Sequence, residues 1–289
     1  MAVLRPETDT DPEAIEIALL LEAVYRRYGH DFRGYGRAHV ARRIRHRMAL
    51  AGAATISELQ GRLLRDPALF SEFLGDLSVN VTEFFRDPDF FRALRCEVVP
   101  LLGTYPSIRI WHAGCATGEE VYSMAILLWE EGLMDRCRIY ATDRNPAALE
   151  QARKGIFPID RMREFTQNYQ QSGGQASFAD YYTARYESVI FDPALRRRIT
   201  FFDHNLVTDG VPGEMHLIVC RNVLIYFNRN LQRRVVRLFA DSLVPGGFLC
   251  LGTKESLGFS ERSAAFAPAV AGQRIYHFRP DGTGRENKA

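Results

Sequence analysis

Four short clusters carry residue types that suit ligand chemistry, and each directly follows an apolar run. The first is Trp111–Glu120 (WHAGCATGEE), where Gly114 and Gly118 bracket a small-residue turn before Glu119 and Glu120. Such a turn lets backbone N–H groups approach a ligand, and a helix start favours an anionic group such as a carboxylate or phosphate. The spacing is G-x-x-x-G rather than the G-x-G-x-x-G of dinucleotide sites, so a plain tight turn explains it equally well. The second is Asp143, after RIYAT, at the position where Rossmann-type sheets set a carboxylate on ribose hydroxyls. Capping the next helix is its alternative role. Asn205-Leu206 and Arg221-Asn222 complete the set, the latter after the buried-strand pattern MHLIVC.

The elements that position these clusters follow from periodicity. Ser107–Trp111 alternates as a strand, and Val121, Met124, Leu127 and Leu128 recur at helical spacing after the Gly turn. Asn145-Pro146 reads as an N-cap with Pro at the first helical position, and Gly155 closes that helix. Ile199–Phe202, Met215–Cys220 and Phe248–Gly252 read as further strands, with Pro245–Gly247 as a turn and Arg274–Arg279 as a final antiparallel strand. In an open α/β sheet, ligands sit beyond the carboxyl ends of strands, where all four clusters fall.

The first hundred residues read as helices instead. Asp11-Pro12, Asp66-Pro67 and Asp87-Pro88 are helix starts, and Thr55 with Glu58 forms a capping box. Arg37–Leu50 sets Val40, Ile44 and Met48 on one face beside Arg42, Arg43, Arg45 and Arg47. A charge run of this kind is usually a solvated face; an acidic partner or nucleic acid phosphates are the functional readings, and no aromatic interleaving supports the last. Ser78–Asp87 (SVNVTEFFRD) breaks the helical period, with Phe84-Phe85 as an anchor into a core. Gln167–Gly174 reads as a loose polar stretch, and Tyr181–Phe191 alternates like a hairpin.

The chain has 289 residues, ample for a substantial core, and its formal net charge of +2 is too small to require nucleic acid. No apolar run reaches membrane-spanning length, and MAVLRPETDT has no apolar core of a signal peptide, so a cytoplasmic setting is expected. Cys96, Cys115, Cys137, Cys220 and Cys250 are odd in number and widely spaced, as in a reducing compartment. No Cys/His pair has metal-ligand spacing, and no metal is expected.

Taken together and in order, SVNVTEFFRD, AGCATGEE, ATDRN, NL, CRNVLIYF and LVPGGFL closely resemble the CheR-type chemoreceptor glutamate methyltransferases, from about Tyr28 to Arg279. The resemblance implies an α/β, Rossmann-like S-adenosylmethionine-dependent methyltransferase domain with an N-terminal all-α domain and a small inserted antiparallel β-subdomain. The corresponding division is residues 1–87 for the helical domain and linker and 88–280 for the methyltransferase domain. The insertion spans 158–198, and 281–289 form a disordered tail.

The resemblance also implies the roles of residues. Asn80, Thr82 and Arg86 reach S-adenosylmethionine from the linker, Gly114 and Glu119 meet it at the turn, and Asp143 takes the ribose hydroxyls. Asn205 and Leu206 flank the adenine, with Arg221 and Asn222 completing the crevice. Arg86 and Tyr226 position the reacting carboxylate, although Tyr226 alone reads as a core aromatic between Ile225 and Phe227. Arg42, Arg43, Arg45 and Arg47 face the acidic helical bundle of a chemoreceptor, and S-adenosylhomocysteine is the product. Whether Glu119 or Glu120 makes the cofactor contact stays open. Two departures stand out: His112 and Cys115 occupy positions where small or hydroxyl residues are common. Rival readings are a methyltransferase of this fold with an RNA or small-molecule substrate, a non-catalytic cofactor-binding module, and an NAD-linked dehydrogenase, which lacks a hydride-transfer constellation.

Overall fold

Helix starts in the N-terminal part are set by side chains that accept orphan backbone N–H groups. The computed structural model describes residues 11–77, 82–258 and 260–280. Asp11 accepts from the Glu13 N–H at the start of α1 (Pro12–Tyr28), which ends at Gly29 in the left-handed region. α2 (Arg37–Ala51) follows. Thr55 caps α3 (Ile56–Leu63) through the Glu58 N–H, while the Glu58 carboxylate reaches back one residue beyond the cap, to the Ala54 N–H at 2.8 Å. Asp66 accepts from Ala68 and Leu69 ahead of α4 (Pro67–Leu77). The apolar faces meet in a core of Leu20, Val24, Val40, Ile44, Leu59, Leu63, Phe73 and Leu77. Tyr28 stacks on Phe70 and donates its hydroxyl to the Leu63 carbonyl at 2.6 Å.

Residues 226–231, remote in sequence, group with these helices. The Tyr226 carbonyl accepts the Gly36 N–H at 2.7 Å, the Gly34 carbonyl accepts the Asn228 N–H at 2.8 Å, and Tyr35 and Phe227 form an antiparallel bridge. Nothing in the local sequence around Tyr226 announces this attachment.

The second unit holds residues 80–225 and 232–289. It opens with α5 (Pro88–Ala93), a π turn (Leu94–Val98) and α6 (Val99–Leu102). The sequence pattern predicts a single helix here. Pro100 lacks an N–H and crowds the preceding turn, and the π turn, with the Val99 N–H bonded to the Leu94 carbonyl, absorbs the mismatch. Then come β1 (Ile108–Ala113), α7 (Glu119–Glu130), β2 (Cys137–Asp143) and α8 (Pro146–Lys154). Next are β3 (Ile156–Pro158), α9 (Met162–Gln171), β4 (Tyr182–Arg185), β5 (Ser188–Phe191) and α10 (Pro193–Arg196). The unit continues through β6 (Ile199–Asp203), β7 (Met215–Cys220), α11 (Arg229–Ser242), β8 (Leu243–Leu251), β9 (Phe266–Pro268) and β10 (Ile275–Phe278). The first three residues of α11 belong to the helical unit.

Seven strands form one mixed sheet in the order β6-β2-β1-β7-β8-β10-β9. Pairing is parallel from β6 to β8 and antiparallel for β10 and β9. From β1 the chain builds outward through β2 to β6, then returns to the other side of β1 with β7. The strand order therefore switches between β1 and β7, where such sheets open a ligand crevice. All six residues of β7 are buried, as a central parallel strand requires.

β3, β5 and β4 make a separate antiparallel sheet, with β4 and β5 as the expected hairpin. Gln167–Gln171 is helical rather than loose, because Met162, Phe165 and Tyr169 form a buried stripe along α9. Phe84 packs among Phe157, Phe165, Phe178 and Phe191, so the anchor sequence fastens the linker to this insertion. The Pro245–Gly247 turn lies inside β8, not ahead of it. β9 has no counterpart in the sequence pattern. No helix among the described residues is long and apolar enough to cross a membrane.

Candidate active site

The turn after β1 spends its own N–H groups. Gly114 and Cys115 both donate to the Thr142 carbonyl at 2.8 Å, Ala116 donates to Asp143 Oδ2 at 2.8 Å, and Gly118 donates to the Cys115 carbonyl at 3.0 Å. With these donors satisfied, the turn is not a phosphate cradle, which removes the main support for a dinucleotide. The turn is nevertheless tight: a Cβ on Gly114, at φ +84°, would stand 2.5 Å from Val223 Cγ2. Asp143 Oδ1 meanwhile accepts the Asn145 N–H at 2.8 Å, so one carboxylate ties the turn after β1 to the start of α8. Asn145 is the α8 cap, so Asp143 is not the capping residue.

The two carboxylates beside this turn differ from their neighbour Glu120. Burial pushes the Glu119 carboxyl up, and the Thr117 hydroxyl, donating at 2.6 Å, only partly offsets it. Burial likewise pushes Asp143 up against the pull of the Asn145 and Ala116 N–H groups. At both, loss of hydration outweighs the hydrogen bonds that favour the charged form. At Glu120 burial also acts upward, but the hydrogen bond with His112 Nδ1 at 3.1 Å and the charge of Arg221 bring it below the ordinary range. Glu120 is paired with Arg221 and His112, whereas neither Glu119 nor Asp143 forms an ion pair among the described residues.

At the end of β7, the Arg221 side chain is 1% exposed. It pairs with Glu120 at 2.9 Å and with Asp87 at 2.5 Å, donates to the Arg86 carbonyl at 3.3 Å, and lies over the Phe90 ring at 4.0 Å. Its guanidinium thus points at the linker rather than standing free for a cofactor. Asp87, expected to cap α5, makes no cap bond and takes φ +57°. The turn after Arg221 is held by Glu255, a buried carboxylate that accepts N–H groups from Asn222 (3.0 Å), Val223 (2.8 Å), Ile225 (3.3 Å) and Gly252 (2.6 Å). Asn205 folds its own turn, accepting from the Val207 N–H at 3.0 Å, with Leu206 buried beside it.

Four of the five described non-glycine residues with positive φ are Phe85, Asp87, Ala116 and Asn222. All lie in the segments that converge on the β1–β7 switch point, and strain of this kind persists where surrounding structure over-determines it. Thr82 and Arg86 are in the linker of the same unit. Asn80 lies outside the described residues, as do the rest of 78–81 and the tail at 281–289.

Comparison with known proteins settles the family. Residues 15–78 match the model described as CheR methyltransferase, all-alpha domain, and residues 80–270 match CheR methyltransferase, SAM binding domain. The chain belongs to the CheR methyltransferase family. It is 54% identical over 270 residues to a putative methyltransferase Cher3 of Pseudomonas putida, covering 93% of this chain and 98% of that one. Proteins named chemotaxis protein methyltransferase are similar as well: one of Listeria innocua, 32% identical over 81% of this chain and 87% of its own, and one of Escherichia coli, 31% identical over 72% and 71%.

For a CheR methyltransferase the crevice chemistry fits. S-adenosylmethionine is a sulfonium with a protonated amine and ribose hydroxyls, and Glu119 and Asp143 are half-buried carboxylates with no basic side chain paired to them among the described residues. Both stand at the carboxyl edge of β1 and β2.

The basic helix is less uniform than its sequence. Arg47 is buried and bridged to Asp76 and Glu72, so it is a strut of the helical unit and not a face for a partner. That corrects the expected stripe. Its place three residues after Ile44, on the α2 face that carries Val40, was a signal of burial in the sequence. Arg45 is exposed and pairs with Glu13 at 2.6 Å, while Arg42 is exposed and Arg43 half-buried. Tyr226 belongs to the helical unit, its ring 4.6 Å from that of His39. Sequence reasoning missed Glu255, Asp87 and the His112–Glu120 pair. Only the last had a local cue, the unusual His112.

Proposed function

We propose that this CheR methyltransferase transfers the methyl group of S-adenosylmethionine to glutamate side-chain carboxylates of chemoreceptors or a receptor-like signalling protein, releasing S-adenosylhomocysteine. The observation that carries the reading is the match of both CheR domains in order along the chain, with relatives named for chemotaxis. Bound in the crevice, the cofactor supplies an electrophilic methyl on a positively charged sulfur. A glutamate carboxylate, with a reference pKa of about 4.3, is already an anionic nucleophile at neutral pH and needs no general base. What remains for the protein is alignment and exclusion of water.

In this reading Asn80, Thr82, Arg86, Gly114, Glu119, Asp143, Asn205, Leu206 and Asn222 form the cofactor site, and Arg221 completes the crevice from behind the linker. Glu119 is assigned to the ammonium end and Asp143 to the ribose. Gly114 contributes closeness of backbone rather than a donor, since its N–H is taken by Thr142. Arg86 and Tyr226 orient the substrate carboxylate, Arg86 as a fixed charge. Pairing too strongly would blunt the nucleophile, so its role is orientation. Arg42, Arg43 and Arg45 offer positive charge to an acidic helical bundle. The division at 1–87 and 88–280, with 158–198 inserted, and a cytoplasmic setting belong to the same reading.

The test uses methyl-labelled S-adenosylmethionine and a panel of receptor signalling domains. Label released by mild base as methanol supports an ester; base-stable label contradicts it. Arg86→Ala and Tyr226→Phe should each cut the transfer rate at least tenfold with the fold intact. A full rate in both variants would remove these two residues from the proposal.

A further inference from the structure

The Arg221 side chain holds together segments that are far apart in sequence. One guanidinium nitrogen, Nη1, donates to Glu120 Oε2 at 2.9 Å and to the Arg86 carbonyl at 3.3 Å. The other, Nη2, donates to Asp87 Oδ2 at 2.5 Å. Glu120 is fixed in turn by His112 Nδ1 at 3.1 Å, and the stack on Phe90 closes the remaining face of the guanidinium. These contacts converge on one feature, the peptide between Arg86 and Asp87. Its carbonyl is bonded, and the next residue is held at φ +57° with its carboxylate drawn away from the α5 N-terminus it would otherwise cap. A charged residue that forgoes a cap and adopts a left-handed backbone does so because a stronger partner holds it.

We infer that Arg221, through Asp87 and the Arg86 carbonyl, is a positioning residue that sets the backbone from which the Arg86 side chain is presented to the cofactor, rather than a cofactor ligand through its own guanidinium. The inference deepens the proposed function, in which Arg86 lies at the cofactor. Both terminal nitrogens of the guanidinium are engaged, by two carboxylates and a carbonyl, and a ring lies over it, while the buried Nε–H has no partner among the described residues. The buried network is also the kind in which loss of one member is felt at another. A consequence is that Asp87, which the family resemblance assigns no role, matters for cofactor binding without touching the cofactor.

The test is a double-mutant cycle on the intact chain, read by calorimetric affinity for S-adenosylhomocysteine, which needs no receptor substrate. Asp87→Asn and Asp87→Gly are both suited to a left-handed backbone, so each keeps the fold while weakening or removing the carboxylate's hold on Arg221. Each should weaken S-adenosylhomocysteine binding about fivefold in the native background and less than twofold in an Arg86→Ala background, where nothing is left to position. Equal losses in both backgrounds would show a general structural effect and overturn the inference. So would no loss in the native background, or an Arg86→Ala variant that binds as the native chain does. Failure of methyl transfer to every receptor domain, with the coupling still present, would sink the substrate reading and leave this inference standing.

Discussion

Asp143 Oδ2 accepts the Ala116 N–H at 2.8 Å, which makes the carboxylate that ends β2 the pin that shapes the turn after β1. Its other oxygen serves Asn145. An amide in its place offers one acceptor oxygen and sets an NH2 against the second N–H. Asp143→Asn should therefore lower S-adenosylhomocysteine affinity at least tenfold while costing about 1–2 kcal/mol of stability, measured by calorimetry and denaturant unfolding. Unchanged affinity would separate Asp143 from the cofactor.

The Glu120–Arg221 pair gives a pH signature. Glu120's folded pKa is depressed, so its contribution is fully present above the unfolded carboxylate value of about 4.3 and is lost as pH falls through the lower folded value. Glu120→Gln should cost roughly 2–3 kcal/mol near neutral pH, and the gap to the native chain should close in acid. Unfolding curves at a series of pH values check this; a gap that widens in acid contradicts the assignment.

The site's first outline was legible because its parts are local. A strand, a Gly turn and a helix in close succession, and Asp143 after the next strand, are patterns of neighbours. Side-chain direction was not. Arg221 directly follows a strand and so reads as facing the cofactor, yet its partners Asp87 and Glu120 are 134 and 101 residues away. Glu255 lies 33 residues beyond the Asn222 backbone it holds, in a polar loop without periodicity. The attachment of Tyr226 to Gly36 is equally non-local. Arg47 differs from these: the helical period that marks Val40 and Ile44 as core also puts Arg47 on their face, and its charge obscured the pattern.

Glu255 is a backbone fastener. Glu255→Ala strands four N–H groups in a buried loop and should destabilise the protein by about 3 kcal/mol, with weaker S-adenosylhomocysteine binding through the freed Asn222 turn. Gly252→Ala attacks the same place, since a Cβ would lie 2.8 Å from Glu255 Oε2 and 2.9 Å from the Asn222 nitrogen. Native stability in either variant would show that the loop has another support.

On α2, burial separates two kinds of arginine. Arg47→Ala removes the buried partner of Asp76 and Glu72 and its packing on α2, and should cost about 1–3 kcal/mol. Arg42→Ala, at an exposed position, should leave stability within about 0.5 kcal/mol. Its effect belongs in kcat/KM toward a receptor domain, about threefold lower at low salt and fading as salt screens the charge. The reverse pattern would move the partner face elsewhere.

The most direct measurement is peptide mapping of a receptor signalling domain after incubation with the protein and S-adenosylmethionine. The account predicts a single added methyl on specific glutamates, removed by mild base and absent when those glutamates are replaced by alanine. Methyl found on another residue type, or retained after base, would contradict glutamate esterification.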